Sequence, residues 1–460
     1  MTSIEGPRQG AFGASGDMAD PLHPAVGRVR TWSNWAGNQS CRAKVLVPTT
    51  EPELCRIVAD AAATGRVVRA VGAGHSFSDV ALSDAVLIDL TGYDRVLAID
   101  PGARTVTVQA GARLHELSRS LWPRGLAFTN LGDIDVQTVA GATQSATHGT
   151  GIGFGNISSS IIAMRLIDGL GQVHELSTVS EPEVFRAARA AVGALGLVST
   201  LTFQLSPAFH LHAVHEPRRI DEVLERFGEL VRDNDHFELF WVPGTGWSLT
   251  KRQRRNHERL APRSRRDELL TDELYDNVLF GLANRVGRWR PTLGREIAKR
   301  IPSPGRSEFN DRSYRVFASP RRVRFVEMEY AVPIEATVDA VQRVRSLVAS
   351  LPYPVSFPVE VRTSAADGIT LSTASGRATG WIAVHMYRGV PYEEYFRGVE
   401  AIMAEFDGRP HWGKLHWRTP QDLAPLYPGW DSFQELRSRL DPLGVFQNAA
   451  MTRVLGPLGG

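Results

Sequence analysis

The stretch that most constrains this chain is Val67 to Phe77. There an apolar run, Val67-Val68-Arg69-Ala70-Val71, breaks into Gly72-Ala73-Gly74 and is followed at once by His75 and Ser76. The run predicts a short buried strand. Glycines at its end let the backbone turn tightly and approach a ligand closely. Such a turn offers bare N–H groups to a phosphate, and His75 sits at its lip. Upstream, Ala43–Val47 reads as a strand. Thr50 with Glu53 three residues on has the spacing of a capping box, so an alanine-rich helix is expected over Glu51–Thr64, ending at Gly65. The unit is strand–helix–strand with a glycine turn at its exit.

That turn lacks the third glycine of a Rossmann fingerprint, and no helix start follows it. Neither it nor the second glycine-rich segment, Gly141 to Gly151, matches GxxxxGK[ST]. A nicotinamide or nucleoside-triphosphate enzyme is therefore disfavoured. In the second segment the small residues Gly141, Ala142, Ala146, Gly149 and Gly151 allow close backbone approach, and the hydroxyls of Thr143, Ser145 and Thr147 can donate to phosphate oxygens. Alone it would read equally well as a tight loop between strands; beside the first turn it reads as the other half of a ligand cradle. Val139–Gly155 as a whole is so rich in Gly, Ala, Thr and Ser that it is not expected to pack as an ordinary core element.

Further strands are predicted at Ala85–Asp89, Arg95–Asp100, Thr105–Gln109 and Leu197–Leu205, with helices over Leu114–Leu121 and Glu181–Ala191. Ile161–Ile167 and Gln172–Leu176 form an expected hairpin around Asp168-Gly169. The C-terminal half adds strands at Val323–Tyr330, Val355–Arg362, Trp381–Tyr387 and His411–Trp417. Helices there are expected over Ile334–Ser350 and Tyr392–Phe406. This order suggests an antiparallel sheet covered on one face. A chain of 460 residues is expected to hold two domains. Residues 1–30 read as a disordered extension without the apolar core of a signal peptide, and no apolar run reaches the roughly 20 residues needed to span a bilayer.

A net charge of +2 is too small to imply nucleic acid or membrane. The only cysteines, Cys41 and Cys55, leave no disulfide framework and no thiolate metal site, so no metal is expected and the compartment is expected to be cytoplasmic. Residues 251–266 carry eight Lys/Arg against one acidic residue. The region of about 250–320 is read as a solvated basic insertion, with weak contact to a membrane or other acidic surface as the alternative. No aromatics interleave with the arginines of 251–266, which argues against single-stranded nucleic acid.

Three pairs at spacing two stand among apolar neighbours: Glu360 and Arg362, His385 and Tyr387, Lys414 and His416. Residues two apart on a strand face the same side, and charged side chains inside apolar strands are uncommon unless paired. Three such pairs point to one polar pocket, with a surface ion pair as the bland alternative for Glu360 and Arg362. The pocket suits oxidation of an alcohol. Glu360 or His385 would take the hydroxyl proton, and Arg362 or Lys414 would stabilise the negative charge that a reduced flavin carries.

The motifs GAGHSFSD (Gly72–Asp79), ATHGTG (Ala146–Gly151), GALGLVS (Gly193–Ser199), EVR (Glu360–Arg362), HWGK (His411–Lys414) and DPLGVFQN (Asp441–Asn448) together resemble the aldonolactone oxidoreductases of the vanillyl-alcohol-oxidase flavoprotein superfamily. The resemblance runs from about Trp32 to Leu455. It implies an α+β fold with a PCMH-type FAD-binding domain over 31–208 and a substrate cap domain over 209–457, the latter an antiparallel sheet flanked by helices. It also implies FAD bonded covalently to His75. Cofactor contacts are expected from Gly72, Ala73, Gly74, His75, Ser76, Asp133, Gly141, Ser145, Thr147, His148, Gly149, Val198, Lys414 and His416. Catalytic roles are expected for Glu360, Arg362, His385 and Lys414. Asp133 and Tyr387 stand where alditol-oxidising relatives carry serine and threonine. These departures favour a cyclic lactone such as L-gulono-1,4-lactone over a polyol, with alditol oxidation as the alternative. Oxygen, a quinone and a cytochrome all stay open as electron acceptor, and Gly132 beside Asp133 leaves room for oxygen without deciding among them.

Overall fold

The computed structural model of the chain describes residues 27–264, 305–319, 323–355 and 357–458. Residues 1–26 of the expected extension and 265–304 of the expected basic insertion lie outside the described residues.

The N-terminal half forms as its local signals require. Thr50 caps the helix Glu51–Thr64 by accepting from Glu53 N, Glu53 returns the bond to the cap backbone, and Gly65 closes the helix at φ 63°. Leu54, Ile57, Val58 and Ala61 face inward. Strands Ser40–Leu46 and Val68–Val71 flank Val86–Asp89 in parallel, and Arg28–Ser33 adds an antiparallel edge. A second, antiparallel sheet takes Val96–Asp100, Thr105–Gln109, Leu197–Gln204, Ile161–Ile167 and Val173–Ser177 in that spatial order. The expected hairpin is present, its turn fixed by the Asp168 carboxylate accepting from the N–H groups of Leu170 and Gln172.

Val139–Gly155 departs from expectation. Thr138 accepts from Gly141 N and starts a helix over Val139–Gln144, and Val139, Ala140, Ala142 and Thr143 are buried in it. Small residues do not bar this segment from the core; they let the helix lie close to its neighbours. The Thr143 hydroxyl is spent inside that helix, on Val139 O at 2.8 Å, and does not serve as the expected phosphate donor.

The C-terminal half is built on one eight-stranded antiparallel sheet. Its spatial order is Ser307–Arg312, His210–Arg219, Trp247–Asn256, His236–Trp241, Val359–Ser364, Thr379–Tyr387, Phe325–Pro333 and Arg409–Pro410. Helices Ile220–Glu225, Phe227–Arg232, Thr337–Ser350 and Glu393–Ala404 cover one face, sharing a hydrophobic cluster with Leu239, Val326, Met328, Val361, Ile382 and Val384. Each such side chain contributes roughly 1.5–3 kcal/mol on full burial.

Three expectations are corrected here. The arginine-rich residues 251–256 form the second half of an internal strand, paired throughout with His210–Arg219 and as far as Gln253 with His236–Trp241, so the insertion cannot begin at 250. Basic character is compatible with that strand because its cations have local partners: Lys251 pairs with Glu238, Arg252 with Glu216, and Arg255 lies over the rings of Phe154 and Phe209. His411–Trp417 is not a strand: pairing stops after Arg409–Pro410, and the chain leaves as a turn closed by Lys414 N on His411 O. The apolar side chains beyond 420 do not join the cap core, although Arg409 at the sheet edge donates to Leu426 O and lies over the Tyr427 ring. Leu423, Tyr427, Phe433, Leu440, Phe446 and Met451 belong to the same core as Val58, Val106 and Phe203 of the N-terminal half.

Candidate active site

The two glycine turns meet. A Cβ on Gly72 would fall 2.3 Å from Thr138 Oγ1, and one on Gly149 would fall 2.3 Å from Leu131 O, so neither position has room for a side chain. Gly74 takes φ 69°, a left-handed conformation. Its carbonyl and that of Ser76 are held by Trp35 N and Asn34 Nδ2. Ala73 completes the turn between the two glycines. His75 stacks on Trp35 with centroids 5.1 Å apart, and its Nδ1 is buried with no hydrogen-bond partner. Burial, reinforced by Lys414 and Arg113, lowers its pKa to about 4, so the imidazole is neutral. In the second turn Ser145 donates to Gly141 O and lies 3.3 Å from Thr147 Oγ1. The loop His411–Lys414 is stapled onto the first turn: Phe77 N donates to Gly413 O and Ser78 Oγ to Trp412 O.

Strand alternation puts Glu238, Lys251, Glu327, Glu329, Glu360, Arg362 and His385 on the face away from the helices. On Val359–Ser364, Val359 and Val361 enter the apolar cluster, while Glu360 and Arg362 point the other way. On Phe325–Pro333, Val326, Met328 and Tyr330 go in, and Glu327 and Glu329 come out. The registers bring these groups together, pairing Lys251 with Glu238 and Glu327 with His385. Arg362 donates from Nε to Glu238 Oε2 at 2.9 Å, contacts Glu360 directly, and holds Asp133 of the N-terminal half at 3.4 Å. Lys414 Nζ is 2.5 Å from Glu327 Oε2 and lies over the Phe77 ring. The other oxygen of Glu327 faces His385 Nε2 at 3.5 Å, and His385 Nδ1 donates to Pro358 O.

Charge counting explains the protonation states around Arg362. Asp133, Glu238 and Glu360 share two cations, Arg362 and Lys251. Burial would raise the Glu238 carboxyl, but Lys251 and Arg362 outweigh it and hold its pKa at about 2. Besides Arg362, Glu360 has only the weaker influence of His385 to favour its charged form. Burial dominates, the neighbouring Asp133 and Glu238 add to it, and Arg362 offsets only part, so the pKa rises to about 7. A carboxyl poised there is a good general base at neutral pH. His385 is opposite in kind. Burial disfavours its charged form, but Glu327 prevails and raises its pKa. With both ring nitrogens facing acceptors, His385 has no lone pair for a hydroxyl proton.

The structure thus joins Glu360, Arg362, His385 and Lys414 in one row beside the His75 turn. Asp133, expected among the cofactor contacts, faces Arg362. His416 is separated from Lys414 because the expected strand is a loop. It is buried edge-on to Trp412, and burial followed by Arg453 and Arg418 lowers its pKa to about 3. Tyr387 closes the row near Phe325 and Phe357, and Val198 is packed in the N-terminal core. His148 stacks on Trp381 at 3.6 Å and meets Glu329 Oε1 at 3.1 Å, tying the second turn to the sheet. Sequence reasoning missed Glu238, Glu327 and Glu329. The signal was in Phe325-Val-Glu-Met-Glu-Tyr330, where acids alternate with core residues. A separate cleft of about 750 Å³, lined by Glu183, Arg186, Asp367 and Arg439 among others, contains none of these groups.

Residues 43–177 match the FAD binding domain family. A solved structure titled solvent-stable cholesterol oxidase superposes with a TM-score of 0.78 at 19% identity, over 95% of this chain and 99% of that one, which establishes the shared fold. The residues present fit the cofactor: two turns with no room for Cβ atoms, and a buried imidazole nitrogen without a partner. Fold and site together define an FAD-dependent oxidoreductase acting on CH–OH groups. Residues 201–454 match the D-arabinono-1,4-lactone oxidase family. The L-gulono-1,4-lactone dehydrogenase of Mycobacterium tuberculosis is 45% identical over 93% of this chain and 99% of its own. The L-gulonolactone oxidase of Mus musculus is 32% identical over 92% and 98%. The chain belongs to the D-arabinono-1,4-lactone oxidase family. Among its described residues no helix is long and apolar enough to cross a membrane.

Proposed function

We propose that this protein oxidises an aldono-1,4-lactone of the L-gulono-1,4-lactone type at C2, giving a 2-keto lactone that tautomerises to an ascorbate-type enediol. Bound FAD supplies the hydride acceptor, at N5. The Glu360 carboxylate would take the hydroxyl proton as the C2–O bond becomes a carbonyl, and the C2 hydride would go to the cofactor that the Gly72–His75 turn would hold. Arg362 orients Glu360 and stabilises the alkoxide character of the oxygen. Lys414, fixed by Glu327 at the seam between the halves, would offer a cation to the negative charge that a bound flavin gains on reduction. His75, neutral and unpartnered at Nδ1, is the residue we assign to covalent attachment.

The observation that carries the reading is the Glu360 carboxyl, raised to about 7 and held against Arg362 in the row that meets the His75 turn. The test is anaerobic mixing of the purified yellow protein with L-gulono-1,4-lactone. Bleaching of the flavin absorbance is expected, with yellow colour retained by the acid-precipitated protein. Flavin that stays oxidised with lactone would overturn the substrate assignment. Colour left in the acid supernatant would overturn the attachment.

A further inference from the structure

We infer that the charges around Arg362 select the neutral, ring-closed lactone and exclude the open-chain aldonate anion formed from it by hydrolysis, with Asp133 and Glu238 enforcing the choice. The inference rests on the lactone reading above and narrows it to one form of the substrate. Hydrolysis of such a lactone breaks the ring ester, adds water and gives a hydroxy acid that is ionised at neutral pH, so a site working on lactones meets both forms.

An arginine fork is the usual receptor for a substrate carboxylate. Here two of the three guanidinium nitrogens already face protein carboxylates. Nε is committed to Glu238, and Nη2 faces both Glu360 and Asp133. The other cations facing the row are matched in the same way: Lys251 lies 2.9 Å from the second Glu238 oxygen, and Lys414 and the His385 imidazole face the two oxygens of Glu327. The side chains of Arg362 and Glu238 are 7% and 8% exposed, so water screens them little. An incoming carboxylate would have to displace a protein carboxylate from a guanidinium while lying beside two others, and like charges at such range in a buried site are strongly disfavoured. The hydroxyls of a lactone are donors, and the same carboxylate oxygens accept from them. Asp133 comes from the cofactor half and Glu238 from the neighbouring strand, and neither is the base. Their charges help to raise the Glu360 carboxyl, and they also act on which substrate form can enter, so the choice is read from the ratio of binding constants rather than from the rate.

The test compares holoenzyme with Asp133→Asn and Glu238→Gln, each taken forward once it retains bound yellow flavin. L-Gulonate is titrated anaerobically, and its Kd is read from perturbation of the flavin spectrum and from competition against lactone. In the wild-type protein the ratio of gulonate Kd to lactone KM is expected to exceed about 100. Each amide substitution is expected to lower that ratio by roughly tenfold, as removal of one nearby charge from a poorly screened site does. Glu238→Gln leaves Lys251 and Arg362 with one anion fewer; if that variant does not hold flavin, the partly exposed Asp133→Asn decides the matter alone. A wild-type ratio near one, or amide variants whose ratio does not move, would overturn the inference while lactone still bleaches the flavin. If lactone itself fails to bleach it, the reading beneath falls, and the inference falls with it.

Discussion

The two faces of the eight-stranded sheet are made by the same strands, yet they do different work. Toward the helices, Met328, Val361, Ile382 and Val384 form a fully buried apolar layer. Toward the cofactor half, Glu238, Glu327, Glu329, Glu360, Arg362 and His385 are nearly as buried but ionisable. Alternation of period two permits this division without any change of strand geometry. One face holds the fold, and the other uses that rigidity to keep ionised groups where water does not screen them. The difference teaches that burial alone does not separate structural from chemical residues in this protein; the number of partners each charge has does.

The sharpest way to break the comparison is Arg362→Met. It leaves Glu238, Glu360 and Asp133 without their shared cation, and loss of one partner from a buried ionic cluster costs about 3–5 kcal/mol. Loss of lactone oxidation and a lowered denaturation midpoint in urea are both expected, and a variant of unchanged stability would show the cluster to be solvated. Met328→Ala tests the opposite face. A cavity there is expected to cost about 2–5 kcal/mol while the rate of flavin reduction per folded molecule stays at the wild-type value, read by stopped flow. A changed rate would mean that the faces are not independent.

Glu360→Gln sharpens the comparison through pH. The folded carboxyl, raised to about 7 from an ordinary value near 4.5, binds a proton that the unfolded chain has released across that window. Its stabilising contribution is therefore full at low pH and is lost as pH rises toward 7. The variant is expected to gain stability relative to wild type between pH 5 and pH 8, measured by denaturant titration at both. Glu238 runs the other way: held at about 2, it stabilises above about pH 4.5 and loses that contribution as pH falls toward 2. The smallest effect lies outside the sheet. Thr50→Ala removes a helix cap and is expected to cost about 1 kcal/mol, with no change in flavin reduction.

Local signals were the most legible part of the chain. The capping box at Thr50, the helix Glu51–Thr64 and the hairpin at Asp168 follow from neighbouring residues alone, and each lies where its sequence says. The spacing-two rule found Glu360 and Arg362 for the same reason. It failed at Lys414 and His416, because the chain stops pairing after Pro410 when Gly413 and Trp412 are drawn onto the His75 turn, a contact more than 300 residues away in sequence. The acids at 238, 327 and 329 stayed hidden because their meaning depends on cross-strand register. Lys251 pairs with Glu238 only once the strands lie side by side. The arginines of 251–256 looked like a solvated run for want of the same knowledge.

The central claim is that Glu360, unlike the other buried carboxylates, is the group that titrates with catalysis. The most direct measurement is the anaerobic rate of flavin reduction by L-gulono-1,4-lactone from pH 5 to 9, in the wild-type protein and in Glu360→Gln. The account predicts a wild-type rate that rises about tenfold per pH unit below an inflection near 7 and then levels. The variant is expected to be slower by about 10²–10⁴ and flat across the range. A variant that keeps the wild-type inflection, or a wild-type rate without one, would contradict it.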